Sequence, residues 1–164
     1  MRHYGIVILL ALSFVFGNDY FQQDVAYEIH VTLDDSAHTL SANESIIYTN
    51  NSADDLDFIW FHLWPNAYKN NTSALEKQFL VRRSSRMAFA KEKERGFIDS
   101  LNFTSNGVEL SWSYHPEWID VAKVELSEAL KPGESVTIET PFFVKLPKVF
   151  SRLGQWRKLK DKNP

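Results

Sequence analysis

The stretch "DVAYEIHVTLDDSAHTLSANESIIYTN", Asp24 to Asn50, decides the fold class. In its first ten residues Val25, Tyr27, Ile29, Val31 and Leu33 alternate with Ala26, Glu28, His30 and Thr32. A period of two is the signature of a strand with one buried face. Asp34 to Ala37 is a cluster of turn formers, and a second alternating run follows it. A four-residue loop over 34–37 would pair Val31 with Leu40, Ile29 with Ala42 and Val25 with Ile46. That register puts apolar side chains on a common face, as expected of a hairpin.

A third strand follows in "DFIWFHLWPNAYKN", Asp57 to Asn70. Phe58, Trp60, His62 and Trp64 share one face, and Ile59, Phe61 and Leu63 the other. Both faces are apolar, so the strand is expected to be covered on both sides, with Pro65 ending it. Residues 66–96 change character: Ser73 with Glu76 three positions on forms a capping-box pattern for a short helix inside a long excursion. Strand signals resume from Gly96 to Tyr114 around the turn "TSNG", then in "WIDVAKVEL" and, after a Pro-Gly turn, in "VTIETPFFVKLP". Seven or eight mostly antiparallel strands, with one or two short helices in a long loop, predict an all-β, saddle-like β-sandwich.

Length and composition fit this picture. The 164 residues suffice for one domain with a core, and 14% of them are aromatic. Residues 1–17 stand apart: Arg2 and His3 precede a twelve-residue run from Gly5 to Phe16, apolar but for Ser13, closed by Gly17. This is the layout of a signal peptide, too short to span a bilayer stably. The expected location is therefore secreted or periplasmic. The chain has no cysteine, which excludes a lipoprotein anchor and a disulfide framework.

Without residues 1–17 the chain keeps 17 basic and 21 acidic residues, a net of −4. Residues 18–144 carry −10 and residues 145–164 carry +6. An acidic body does not point to nucleic acid. Residues 148–164 read as a basic, disordered tail after an 18–147 domain. Asn-x-Ser/Thr triplets begin at Asn43, Asn50, Asn70, Asn71 and Asn102, as an Asn- and Ser-rich chain produces by chance.

Motifs for chemistry are sparse. His3 leaves with the signal; His30, His38, His62 and His115 lie in no H-E-x-x-H pattern. There is no G-x-S-x-G elbow and no glycine cluster for phosphate. His62, set among aromatics, is expected to be a neutral core histidine. Trp60, Trp64, Trp112 and Trp118 are the candidates for stacking on a sugar ring, with core packing the simpler role for Trp60, Trp64 and Trp112. No catalytic, cofactor-binding or metal-ligating residue is assigned.

Three segments in order carry a family resemblance. "YEIHVTLDDSAHTLSANESIIYTNNSADDLDFIWFHLWPNAY" (27–68), "KERGFIDSLNF" (93–103) and "ALKPGESVTIETPFFVKLPKVFSRLG" (129–154) resemble the N-terminal domain of zinc aminopeptidases of the aminopeptidase N (gluzincin) family, in a secreted bacterial branch. The resemblance implies a β domain preceding a thermolysin-like catalytic domain. That domain would hold one zinc through H-E-x-x-H and a further Glu, and grip the peptide N-terminus through G-x-M-E-N. Neither motif occurs here: beyond the signal the one methionine is Met87, followed by Ala88 and Phe89. The expectation is a non-catalytic, truncated N-terminal domain, without a cofactor, whose partner is a catalytic metallopeptidase domain acting on peptides. A stand-alone secreted module binding glycan or protein is the alternative.

Overall fold

The computed structural model describes residues 21–148, 150 and 152–155. The expected signal segment 1–17 and most of the expected tail lie outside them. Among these residues nine strands and one α-helix follow in order: β1 (Asp24–Asp34), β2 (Thr39–Thr49), β3 (Leu56–His62), α1 (Ala74–Val81), β4 (Phe97–Asp99), β5 (Thr104–Ser105), β6 (Val108–Glu109), β7 (Trp112–Tyr114), β8 (Val121–Leu130) and β9 (Ser135–Lys145). They form an all-β sandwich of two antiparallel sheets. The larger runs β1-β2-β9-β5-β6, with β4 also on β9, and the smaller runs β3-β8-β7.

The hairpin forms, but its register is displaced by two residues from the sequence expectation. Leu33 pairs with Leu40, Val31 with Ala42, Ile29 with Glu44 and Val25 with Tyr48. The cause is Asp34, whose carboxylate accepts from the Ser36 and Ala37 amides at 2.9 Å. This Asx-type turn moves the loop to Asp35–His38, and His38 takes a positive φ of 57°. A shift of two keeps every side chain on its expected face. The second hairpin closes as the "TSNG" signal implies: Ser105 pairs with Val108, and Asn106 and Gly107 both take positive φ.

The core lies between the sheets, where alternate residues of β2 and β9 meet those of β3 and β8. One cluster comprises Ile59, Phe103, Leu110, Val124 and Ile138; a second comprises Leu63, Ile98, Ala122 and Val144. A third, under the 66–96 excursion, joins Ala67, Tyr68 and Met87 to Phe79, Phe150 and Leu153. Ser73 caps α1 by accepting from the Glu76 amide at 3.2 Å. The reciprocal half of the capping box is missing: among the described residues the buried Glu76 carboxylate has no hydrogen-bond partner. Burial holds its pKa above the ordinary carboxylate value, with the Arg95 charge opposing the shift.

Two buried asparagines fasten the edges of this frame. Asn50, fully buried, donates to the carbonyls of Asp54 (2.8 Å) and Leu130 (2.9 Å) and accepts from the Ser52 amide and hydroxyl. It thereby ties the end of β2 to the end of β8 across the two sheets. Asn66 donates to the Ile119 carbonyl and accepts from the Ile98 amide, both at 3.2 Å. It fixes the short 3-10 turn Trp64–Tyr68 that follows β3.

Candidate functional surface

β1 and β3 are the edge strands on the same side of the two sheets, and their exposure departs from expectation. β1 is exposed along its whole length, including the apolar stripe Val25, Tyr27, Ile29, Val31 and Leu33. Its partner β2, one strand inward on the same face, buries Ala42 and Ile46. The three-stranded sheet covers β2 and β9 but does not extend over β1. The half-buried first strand inferred from alternation is therefore an overhanging edge.

β3 is likewise covered on one side only. Ile59 and Leu63 are buried, whereas Trp60 and Trp64 are 46% and 69% exposed. The expectation of a strand enclosed on both faces fails, and with it the core roles of Trp60, Trp64 and His62. Instead the outer aromatics shield one another. Phe58 meets Trp60 edge-on at 5.7 Å, and the Lys123 ammonium sits 4.1 Å over the Phe58 ring. Trp60 touches His115 at 5.3 Å, and His115 stacks on Trp118 at 4.2 Å with planes 13° apart. Trp118, expected within a strand, lies in the turn before β8. Trp112 does pack inward, edge-on to Phe103.

The histidines are dispersed. His30 lies on the outer face of β1, 3.1 Å from Glu28. His38 is in the hairpin loop, its carbonyl accepting from the Leu146 amide. His62 closes β3 on the surface, with Nε2 3.5 Å from the carboxylate of buried Asp120 and its ring 3.7 Å from that of Trp64. His115 accepts from the Glu117 amide through Nδ1 at 3.1 Å. Among the described residues no group of three or more His, Cys, Asp or Glu is placed to hold a metal ion.

Between the overhang of β1 and the edge of β3 runs an open groove of about 540 Å³. Val25, Tyr27 and Ile46 line one wall, and Trp60, His62 and Trp64 the other. Glu44 also borders it, on the same face as Leu40, Ala42, Ile46 and Tyr48. Burial raises the pKa of its carboxyl. The sequence reading did not single out Glu44; the signal was its interruption of the apolar alternation of β2. Beyond Trp64 a separate cleft of about 670 Å³ is bordered by His62, Tyr68, Phe79, Arg82, Asp120 and Arg152. The arrangement offers apolar contact, ring stacking and a few charges at the rim. It assembles no nucleophile with a base.

In comparisons with known proteins, no family model matches the chain and no curated protein matches it.

Proposed function

We propose that this chain is a non-catalytic β domain of a secreted or periplasmic protein of the zinc aminopeptidase N type, acting through its surface. The resemblance of residues 27–68, 93–103 and 129–154 motivates the family. The observation that carries the surface role is the uncovered apolar face of β1 beside the exposed aromatic row of β3. Contiguous apolar surface of this kind marks a place where another protein body packs. In such a protein a separate catalytic domain would hold zinc, and zinc-activated water would attack the first peptide bond. This sandwich would bound the cleft that receives the peptide N-terminus. The test is the coding sequence that follows codon 164. A frame encoding H-E-x-x-H and a further Glu supports the proposal, and flanking DNA without one overturns it.

A second reading is favoured by one observation, the outer aromatic cluster in which exposed Trp60 and Trp118 flank the half-buried His115. An exposed indole face suits the apolar face of a sugar ring. On this reading the chain is a secreted glycan-binding module. Saturable changes in tryptophan emission on titration with soluble oligosaccharides, lost in Trp60→Ala, would support it. An unchanged spectrum would remove it.

A further inference from the structure

We propose that β1 pairs antiparallel, edge to edge, with β1 of a second copy of this chain, on a two-fold axis through Ile29. The proposal does not depend on the aminopeptidase reading.

Among the described residues no strand pairs with β1 on the side away from β2. The edge is 11 residues long and fully exposed, and it pairs with β2 without a break in register. It carries no Pro, no Lys and no bulge, the usual devices that keep an edge from recruiting another strand. Such an edge presents a row of free amides and carbonyls to any complementary strand.

The complementary strand is β1 itself. Reversed about Ile29, the sequence DVAYEIHVTLD matches its own pattern. Val25 meets Leu33 of the second copy, Tyr27 meets Val31, and Ile29 meets Ile29, all on the apolar face. On the polar face Glu28 meets His30, and by symmetry this occurs twice. Glu28 and His30 already touch within one chain at 3.1 Å, so pairing would join four side chains into one network. Cross-strand pairs of these kinds are what stabilise a sheet. Like charges meet only at the ends, Asp24 against Asp34, where the Asp34 carboxylate is already held by the Ser36 and Ala37 amides.

Neighbouring registers are worse. Sliding by two residues loses two end pairs and brings Glu28 onto Glu28, or His30 onto His30. Sliding by one sets the apolar face of one strand against the polar face of the other. The two-fold about Ile29 is isologous and closes on itself, giving a dimer and not a fibre. It would place the apolar stripes of both copies side by side on one continuous sheet.

The absence of cysteine permits a test without background. In the full chain, Ile29→Cys sets two thiols across the axis, at a Cα separation of roughly 4.5–5.5 Å that a disulfide spans. Val31→Cys alone puts its thiols on the order of 14 Å apart along the strands, too far to bridge. Sedimentation should show a dimer that Ile29→Lys weakens at least roughly tenfold, since two ammonium groups then face each other. His30→Glu should weaken it through carboxylates facing Glu28, and the swap Glu28→His with His30→Glu should restore it. Circular dichroism of each variant establishes that the sandwich is intact. A chain that stays monomeric at every accessible concentration overturns the proposal. So does a dimer indifferent to Ile29→Lys, or one that cross-links through Val31→Cys and not Ile29→Cys. A monomer whose β1 edge amides resist hydrogen exchange also overturns it, because another part of the chain then covers the edge.

Discussion

Ile46 and Ile29 make the sharpest comparison in this molecule. They sit on adjacent strands of one sheet and on the same face, yet Ile46 is 1% exposed and Ile29 48%. Replacing either with alanine removes three carbon groups, worth about 0.8 kcal/mol each when fully buried. For Ile46→Ala that is about 2.4 kcal/mol, and the cavity left against Ile138 carries the total to about 3–4 kcal/mol. Ile29 has lost only about half of its surface to neighbours and leaves no enclosed void. Ile29→Ala should therefore cost about 1 kcal/mol. Urea unfolding of both variants, diluted until the chain is monomeric, measures the two losses on one scale, with an unchanged m-value confirming equivalent transitions. A gap of about 2 kcal/mol is expected from these burials. Equal losses would mean that the β1 face is covered in solution, and the open surface described above would not exist.

Asn50→Ala should cost about 3 kcal/mol in the same assay, since it leaves the Leu130 carbonyl without its donor and releases the Ser52 turn. A loss below about 1 kcal/mol would deny Asn50 its role as a tie between the sheets. Glu44 has a folded-state pKa raised by burial, so its contribution is fully present below the ordinary value of 4.5 and is lost as pH rises through the folded value. Glu44→Gln should accordingly match the parent near pH 3 in thermal melts and become relatively more stable towards neutral pH; a pH-independent gap would contradict the shift. In single-tryptophan variants, acrylamide should quench Trp60, Trp64 and Trp118 efficiently and Trp112 weakly. Equal shielding of Trp60, Trp64 and Trp112 would restore the buried roles inferred from alternation.

Most of the sheet framework was legible because its signals are local. Alternation from Val25 to Leu33 and the "TSNG" turn each define strands within a few residues. The register was misread by two because Asp34 spends its carboxylate on the turn instead of leaving the loop to close around it, a choice that strand alternation does not encode. Trp60 and His62 were misplaced for a different reason. An aromatic row that covers itself, with Lys123 laid over Phe58, has the same pattern of residue types as a strand roofed by another layer. Whether β1 is roofed depends on how far the three-stranded sheet extends, a long-range fact absent from the strand's own residues. Asn50 and Asn66 look like loop residues in sequence, and only the carbonyls they reach, up to 80 positions away, identify them as fasteners. Ser73 was readable as a cap because its partner amide is three residues on.

The surface role is tested most directly by hydrolysis of aminoacyl anilides by the purified chain at neutral pH, with and without added zinc. No turnover above buffer is expected in either condition. Zinc-dependent turnover that co-purifies with the chain and disappears in His62→Ala or Asp120→Asn would contradict it, and would place the chemistry where Nε2 of His62 meets the Asp120 carboxylate.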